Sequence, residues 1–335
     1  MMIKFSIFLG LLIVGILLVA VGIWGSLAIF FSGPDPQAVR YALTGIFVTL
    51  SLMAIMALLS NRWRWKILIA HLAVFIVLLF WFFNLKPSND RDWQTDVALL
   101  PHATVEGDLV TVHNIRNFSY RSESDYTPAY YDKHFNLSKL EGVDVVAVYW
   151  MGPAIAHVFL SFEFEGGDHL AVSIETRKEK AEAYSTLKGF FRQYELYYVV
   201  SDERDVIGLR TNYREEPAED VYVYRVAGNI ENGRRLFMEY IRRINSLKVK
   251  PEFYNTLTTN CTTNIWTNTH VNNSQLALSW KILASGYLPE YLYEKDRLIT
   301  GGLSFPELQK RVHINSRAMA SGINEHFSEA IRQEQ

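Results

Sequence analysis

The first 85 residues constrain this chain more than anything that follows. Residues 5–31 carry no charged side chain and exceed the roughly 20 apolar residues a helix needs to cross a bilayer. A second apolar run covers about 41–60, and a third covers about 67–85 and contains Phe80-Trp81-Phe82-Phe83. The first run is too long for a signal-peptide core, and no small-residue cleavage site clearly follows it. Between the second and third runs lies Asn61-Arg62-Trp63-Arg64-Trp65-Lys66. Its cations and interfacial tryptophans mark that loop as cytoplasmic by the positive-inside rule, and Lys4 agrees. The other loop, Gly33-Pro34-Asp35-Pro36, carries an acid, although Arg40 opens the next run. Three spans with a cytoplasmic N-terminus place the rest of the chain outside, in the periplasm at a bacterial inner membrane. His71 lies in the third run near its cytoplasmic end, and a structural role is expected for it.

Residues 1–85 therefore read as a three-helix transmembrane anchor and 86–98 as a polar linker. Residues 99–290 read as the main water-soluble domain, and 291–335 as a mostly helical tail. The part beyond the membrane segment is long enough to bury a full core. A net charge of −2 gives no electrostatic case for nucleic acid, and no zinc-type cysteine spacing, Walker loop or dinucleotide-binding glycine pattern is present. No metal and no cofactor is expected. Strand patterns fall at 108–115, 143–150, 157–164, 169–176, 194–201 and 221–226, with a loop at 125–135. Helical spacing covers 234–247, and a helix is expected after residue 260. The class is α+β, an antiparallel sheet packed on that second helix.

Cys261 is the single cysteine of the chain, so it makes no internal disulfide. Thr258, Thr259 and Asn260 before it are capping types. A cysteine at a helix start sits at the positive end of the macrodipole, which favours the thiolate. Cys261 is the candidate nucleophile, with Asn260 and Thr262 supporting the turn.

A thiol nucleophile needs a base held by a third group. Among nine histidines, His157 opens a core-like strand. That strand leads through Glu165-Gly166-Gly167 into a return strand, forming a hairpin. If Phe164 pairs with Asp168, Glu175 lies opposite His157 and Ser173 lies one diagonal step away on the same face. Glu175 is then the first candidate to orient the ring. Ser173 is a reserve, and Thr176 takes the place if the register slips by one. His169 sits by the turn, too far along the ladder to share the site. Arg177 has the parity of Glu175 and could pair with it or bind a phosphate.

A histidine on a strand followed by an Asn-Cys pair at a helix start reverses the papain order. It is similar to permuted relatives in the NlpC/P60 and lecithin:retinol acyltransferase group, many of which use lipid esters. More specifically, the chain resembles the Lnb-type periplasmic domain family. The matching stretches are Asn114-Ile115-Arg116-Asn117-Phe118-Ser119-Tyr120, Ala156-His157 through Ser161-Phe162, Ser173-Ile174-Glu175-Thr176-Arg177, Tyr194-Glu195, Asp202-Glu203-Arg204-Asp205 and Asn260-Cys261-Thr262-Thr263-Asn264. The family includes bacterial enzymes that N-acylate lipoproteins through a Cys–His pair. The resemblance implies a membrane-anchored thiol acyltransferase. Its acyl donor would be a phospholipid and its acceptor the N-terminus of a lipoprotein. Here the apolar spans precede the domain, whereas the name-giving enzymes carry theirs after it. Asn114, Arg116 and Tyr120 are candidates for headgroup or acceptor contact. Two other readings stay open: a cysteine peptidase or amidase acting on cell-wall peptide, and a non-catalytic membrane scaffold with Cys261 buried.

Overall fold

The computed structural model describes residues 2–60, 62–273 and 276–333. Asn61 and the Lys4 side chain, both used in reading the membrane orientation, lie outside the described residues. The chain divides into two compact units.

The first unit is Met1–Pro87 with Ser185–Gln193. It holds helices α1 (Met2–Ser32), α2 (Gln37–Ala57) and α3 (Arg64–Asn84), all long and apolar enough to cross a membrane. Ala28, Phe47, Ala54, Leu78 and Phe82 are buried between them. A Cβ on Gly25 would meet the Phe47 ring at 2.4 Å, so glycine is what lets these helices close there. His71 is buried on this seam, with Nε2 3.1 Å from Ser51 Oγ and its ring against Phe47. That contact satisfies a polar ring among apolar helices. In the same unit, Phe191 packs with Ala28 and Phe82, and Arg192 Nη1 donates to the Phe83 and Leu85 carbonyls at 3.1 Å.

The second unit is Ser88–Tyr184 with Tyr194–Gln335. Its strands are β1 (His102–Glu106), β2 (Leu109–Arg116), β3 (Ser119–Tyr120), β4 (Tyr126–Thr127), β5 (Tyr130–Asn136), β6 (Leu140–Tyr149), β7 (Ala156–Phe164), β8 (Asp168–Arg177), β9 (Glu195–Ser201) and β10 (Asp220–Arg225). Eight of them form one sheet in the order β1-β2-β9-β8-β7-β6-β10, with β5 paired to β2. All its pairings are antiparallel except a single parallel bridge, Arg116↔Ser201, between β2 and β9. The helices are α4 (Glu203–Asn212), α5 (Ile230–Val249), α6 (Cys261–Asn268), α7 (Trp280–Leu283), α8 (Leu288–Glu294), α9 (Phe305–Val312), α10 (Asn315–Ser321) and α11 (Phe327–Ala330).

Both faces of the sheet are covered, and strand alternation divides the residues between them. Val158, Leu160 and Phe162 of β7 join Phe237, Tyr240 and Ile265 of α5 and α6 in the larger core. Phe159 faces the other way and meets Val206 of α4, Ala318 of α10 and Phe327 of α11. That second face also buries polar groups. Ser161 Oγ donates to Glu203 at 2.5 Å, and Arg332 bridges Glu203 at 2.6 Å and Asp144 at 2.7 Å.

Three stretches differ from the sequence expectation. Residues 125–135, expected as a loop, hold β4 and most of β5, whose exposed polar positions dilute the strand alternation. Most of 86–98 is folded onto the sheet rather than left as a linker: Trp93 is buried and bridges Glu179, and Asn89 donates to the Leu247 carbonyl. The expected tail also contributes to the core through Leu298, Leu308, Val312, Ile314 and Phe327. Apolar residues spaced along short helices there read as polar overall, which hid their buried face.

Candidate functional site: a thiol, an imidazole and a hydroxyl–carboxylate relay

The hairpin register is the one that places Glu175 and Ser173 toward His157. Phe164 pairs with Asp168, and the pairing runs to Leu160↔Val172. Beyond that point β7 stays with β6 and β8 stays with β9, so the two strands part. Helix α6 starts at this parting. The Val158 N–H bonds the Cys261 thiol.

Local sequence fixes the helix start. The Asn260 side chain accepts from the Thr263 N–H at 2.8 Å, and its Nδ2 donates to the Thr256 carbonyl at 2.8 Å. Thr262 is fully buried and donates from Oγ1 to the Ile282 carbonyl at 2.6 Å. Asn260 and Thr262 thus hold the turn that presents Cys261, a half-buried residue at the first position of α6. Of the first-turn N–H donors, Thr263's is consumed by the cap. The Thr262 N–H bonds the sulfur.

His157 Nε2 lies 2.6 Å from Ser173 Oγ and 3.5 Å from Glu175 Oε1. Ser173 Oγ donates to Glu175 Oε1 at 2.7 Å. An ionised carboxylate only accepts, so the one hydroxyl proton of Ser173 goes to Glu175. Ser173 must then accept from His157, which puts the ring proton on Nε2 and leaves Nδ1 as the basic nitrogen of a ring that also bonds the thiol. The orienting group is therefore Ser173, backed by Glu175, rather than Glu175 alone. Thr176, held in reserve for a slipped register, has the opposite parity and plays no part.

The charges around this chain of bonds are mutually supportive. Burial pushes the Cys261 thiol up, but the His157 ring and the Val158 and Thr262 N–H groups outweigh it and bring the thiol below its ordinary value. Burial pulls His157 down, and its bonds to Cys261 and Glu175 carry it above its ordinary value against Arg210. Burial likewise raises Glu175, yet His157, Arg210 and Arg116 hold it well below the usual carboxylate range. Together these favour a thiolate–imidazolium pair.

Arg210 was not singled out from the sequence. It projects from α4 with Nη2 3.3 Å from Glu175 Oε1 and Nη1 3.3 Å from Glu219. The available signal was Asp202, a capping type opening a run in which Glu203, Ile207 and Arg210 share one helical face. Tyr254, whose hydroxyl lies near Cys261 and hydrogen-bonds Tyr184, was also missed.

Four expected contributors stand elsewhere. Arg177 does not pair with Glu175. It is buried, stacked on Trp93 at 4.2 Å, and donates to the Val97 and Ala98 carbonyls and to Asn89. With its donors used on residues 89–98, it fastens that segment to the sheet and is not a phosphate site. Arg116 clamps the fully buried Asp205 through Nε and Nη2, and Tyr120 donates to the same carboxylate at 3.0 Å. Arg116 reaches the site only through its charge on Glu175. Asn114 sits at φ 60° in a bulge of β2 and donates to the Leu100 carbonyl. These residues build the scaffold rather than face the thiol, because their polar atoms are already paired within it.

Fold and site define a membrane protein: three apolar helices joined to a sheet-rich α+β domain of periplasmic type with a Cys–His pair at a helix start. Residues 126–286 match the model of the Lnb N-terminal periplasmic domain. Comparison with curated proteins and with solved structures gives no match.

Proposed function

We propose that this protein is a cysteine-dependent acyltransferase of the bacterial inner membrane. In this reading its N-terminus is cytoplasmic and its sheet domain periplasmic. The observation that carries the proposal is the His157–Ser173–Glu175 chain, which leaves a basic nitrogen on a ring that also bonds the Cys261 thiol. The order of elements, histidine strand before cysteine helix, fits a permuted papain-like domain related to NlpC/P60 enzymes.

In the reaction, the Cys261 thiolate attacks the carbonyl carbon of a phospholipid acyl ester. The N–H groups at the start of α6 stabilise the oxyanion. The tetrahedral intermediate expels the lysophospholipid alkoxide, which takes the proton from the His157 imidazolium, and a thioester remains on Cys261. An amine, by family likeness the N-terminus of a lipoprotein, attacks the thioester while His157 accepts its proton. The C–S bond breaks, the amide leaves and the thiolate returns. Glu175 and Ser173 hold the ring through both halves, and no metal or cofactor enters.

The test is mass spectrometry of the purified protein with phospholipid vesicles. An acyl adduct on Cys261 is expected, absent in Cys261→Ala and not accumulating in His157→Ala. No adduct with any phospholipid, together with cleavage of a muropeptide, would replace this reading with a cell-wall peptidase or amidase. A thiol unreactive to alkylating agents in the folded protein would leave a scaffold.

A further inference from the structure

A cavity lies on the opposite face of the sheet from His157. It has a volume of about 530 Å³ and is bounded by β6, β7, α5, α6 and α8. Its floor is apolar and almost fully buried: Leu160, Leu236, Ile265, Ile282 and Leu288. Its rim is polar and more exposed, with Glu141, Arg225, Asn229 and Arg297. The size lies within the range of cavities that hold small ligands.

The rim cations are not equivalent. Arg225 is tied to Asp144 at 2.7 Å and also pairs with Glu163. Arg297 makes no ion pair among the described residues, and its Nε is buried without a partner. Backbone bonds hold the residue in place: its N–H donates to the Leu292 carbonyl and its carbonyl accepts from Ala227, both at 2.8 Å. A guanidinium left unpaired beside an apolar cavity is complementary to an anionic group carried on an apolar chain. A chain joined to three membrane-spanning-type helices works where the abundant amphiphiles are lipids.

We propose that this cavity is a lipid-binding site, separate from the thiol, that takes one long acyl chain with its anionic head on Arg297. The separation follows from the fold. His157, Ser173 and Glu175 point to the other sheet face, and the fully buried Thr262 closes the cavity wall next to Cys261. Because Thr262 is both wall and neighbour of the nucleophile, an occupied cavity braces the start of α6 from behind. The site does not depend on Cys261 turning over any substrate.

The full chain in nanodiscs, photolabelled with palmitate bearing a terminal diazirine, tests this. Labelled peptides are expected at 226–236 and 282–292, and Cys261→Ala should label as the unmodified protein does. Leu292→Trp, which fills the cavity from α8, should abolish that label. Arg297→Gln, at the half-buried rim, should weaken competition by free palmitate about tenfold, as loss of one charged hydrogen bond implies. It should leave competition by hexadecanol unchanged. Inorganic phosphate alone should not compete. Label confined to the membrane helices, unchanged labelling in Leu292→Trp, or loss of the cavity label in Cys261→Ala would overturn the proposal. Equal loss of palmitate and hexadecanol competition in Arg297→Gln would remove the anionic head from it.

Discussion

Ser173 has one hydroxyl proton, and Glu175 takes it. The tautomer of His157 follows from that. In Glu175→Gln the new amide can donate to Ser173, whose hydroxyl then turns to donate to Nε2 and moves the ring proton to Nδ1. In Ser173→Ala the carboxylate remains 3.5 Å from Nε2 and still favours the original tautomer. The pH midpoint of Cys261 alkylation by iodoacetamide should therefore rise in Glu175→Gln by about one unit, the equivalent of one charge-assisted bond, and by less in Ser173→Ala. A smaller shift in Glu175→Gln than in Ser173→Ala would count against the relay. The unmodified protein should titrate below the roughly 8.5 of free cysteine, because His157 and two N–H groups outweigh burial. In His157→Ala burial dominates, and the midpoint should move above that of the unmodified protein. Much of this site was legible before the structure. The Gly166-Gly167 turn marked the hairpin, and with Phe164 opposite Asp168 period-two alternation put Glu175 first and Ser173 in reserve, while a one-residue slip would have brought in Thr176. Arg210 was not legible, because its contact to Glu175 crosses from a separate helix and no local pattern encodes it.

Asn260 supplies the cap at the start of α6, beside the buried Thr262. Asn260 accepts from the Thr263 N–H and holds the Thr256 carbonyl from the other side. Asn260→Ala should cost about 1 kcal/mol of stability, read as a lowered Tm. It should also loosen the N–H donors beside the sulfur, so alkylation should need higher pH. Asn260→Asp keeps the acceptor but loses the bond to Thr256, and should retain most of the stability. Unchanged Tm and titration in Asn260→Ala would show that packing alone sets the helix start. Elements with strong periodicity, such as β7, β8 and α5, were readable from sequence. Strands β1 and β5 were not, since their exposed polar positions dilute the alternation. Helix α4 was concealed by the charges of its first turn, Glu203 and Asp205, which are fully buried by partners distant in sequence.

Across the whole sheet unit, the most remote of those partners is Arg332. Its guanidinium joins Glu203 and Asp144, both fully buried. Removing one side of a buried pair leaves the other charge stranded, so Arg332→Ala should cost about 3–5 kcal/mol. That corresponds to a fall in Tm of roughly 10 °C for a unit of this size. A fall no larger than that of an exposed Arg→Ala control would exclude the network as a support. Burial raises the Glu203 carboxyl, and Arg332, His169 and Ser161 more than reverse this, holding it at about 2. Its folded value lies below its unfolded one, so the stabilisation is complete above the ordinary carboxylate range and fades as pH falls toward 2. Acid titration of Tm should show this loss, and Arg332→Ala should flatten it.

The Arg332 network also sets a timetable. Glu203 and Asp205 begin the helix that carries Arg210 to Glu175, and Glu203 lacks its arginine partner until residue 332 has been synthesised and has reached the folding sheet. A nascent chain halted between residues 270 and 330 would already contain Cys261, His157, Ser173 and Glu175. It would lack the cation that lets the second face of the sheet close over them. Thiol protection measured on chains stalled at increasing lengths should therefore appear in one late step as residue 332 emerges, not when Cys261 does.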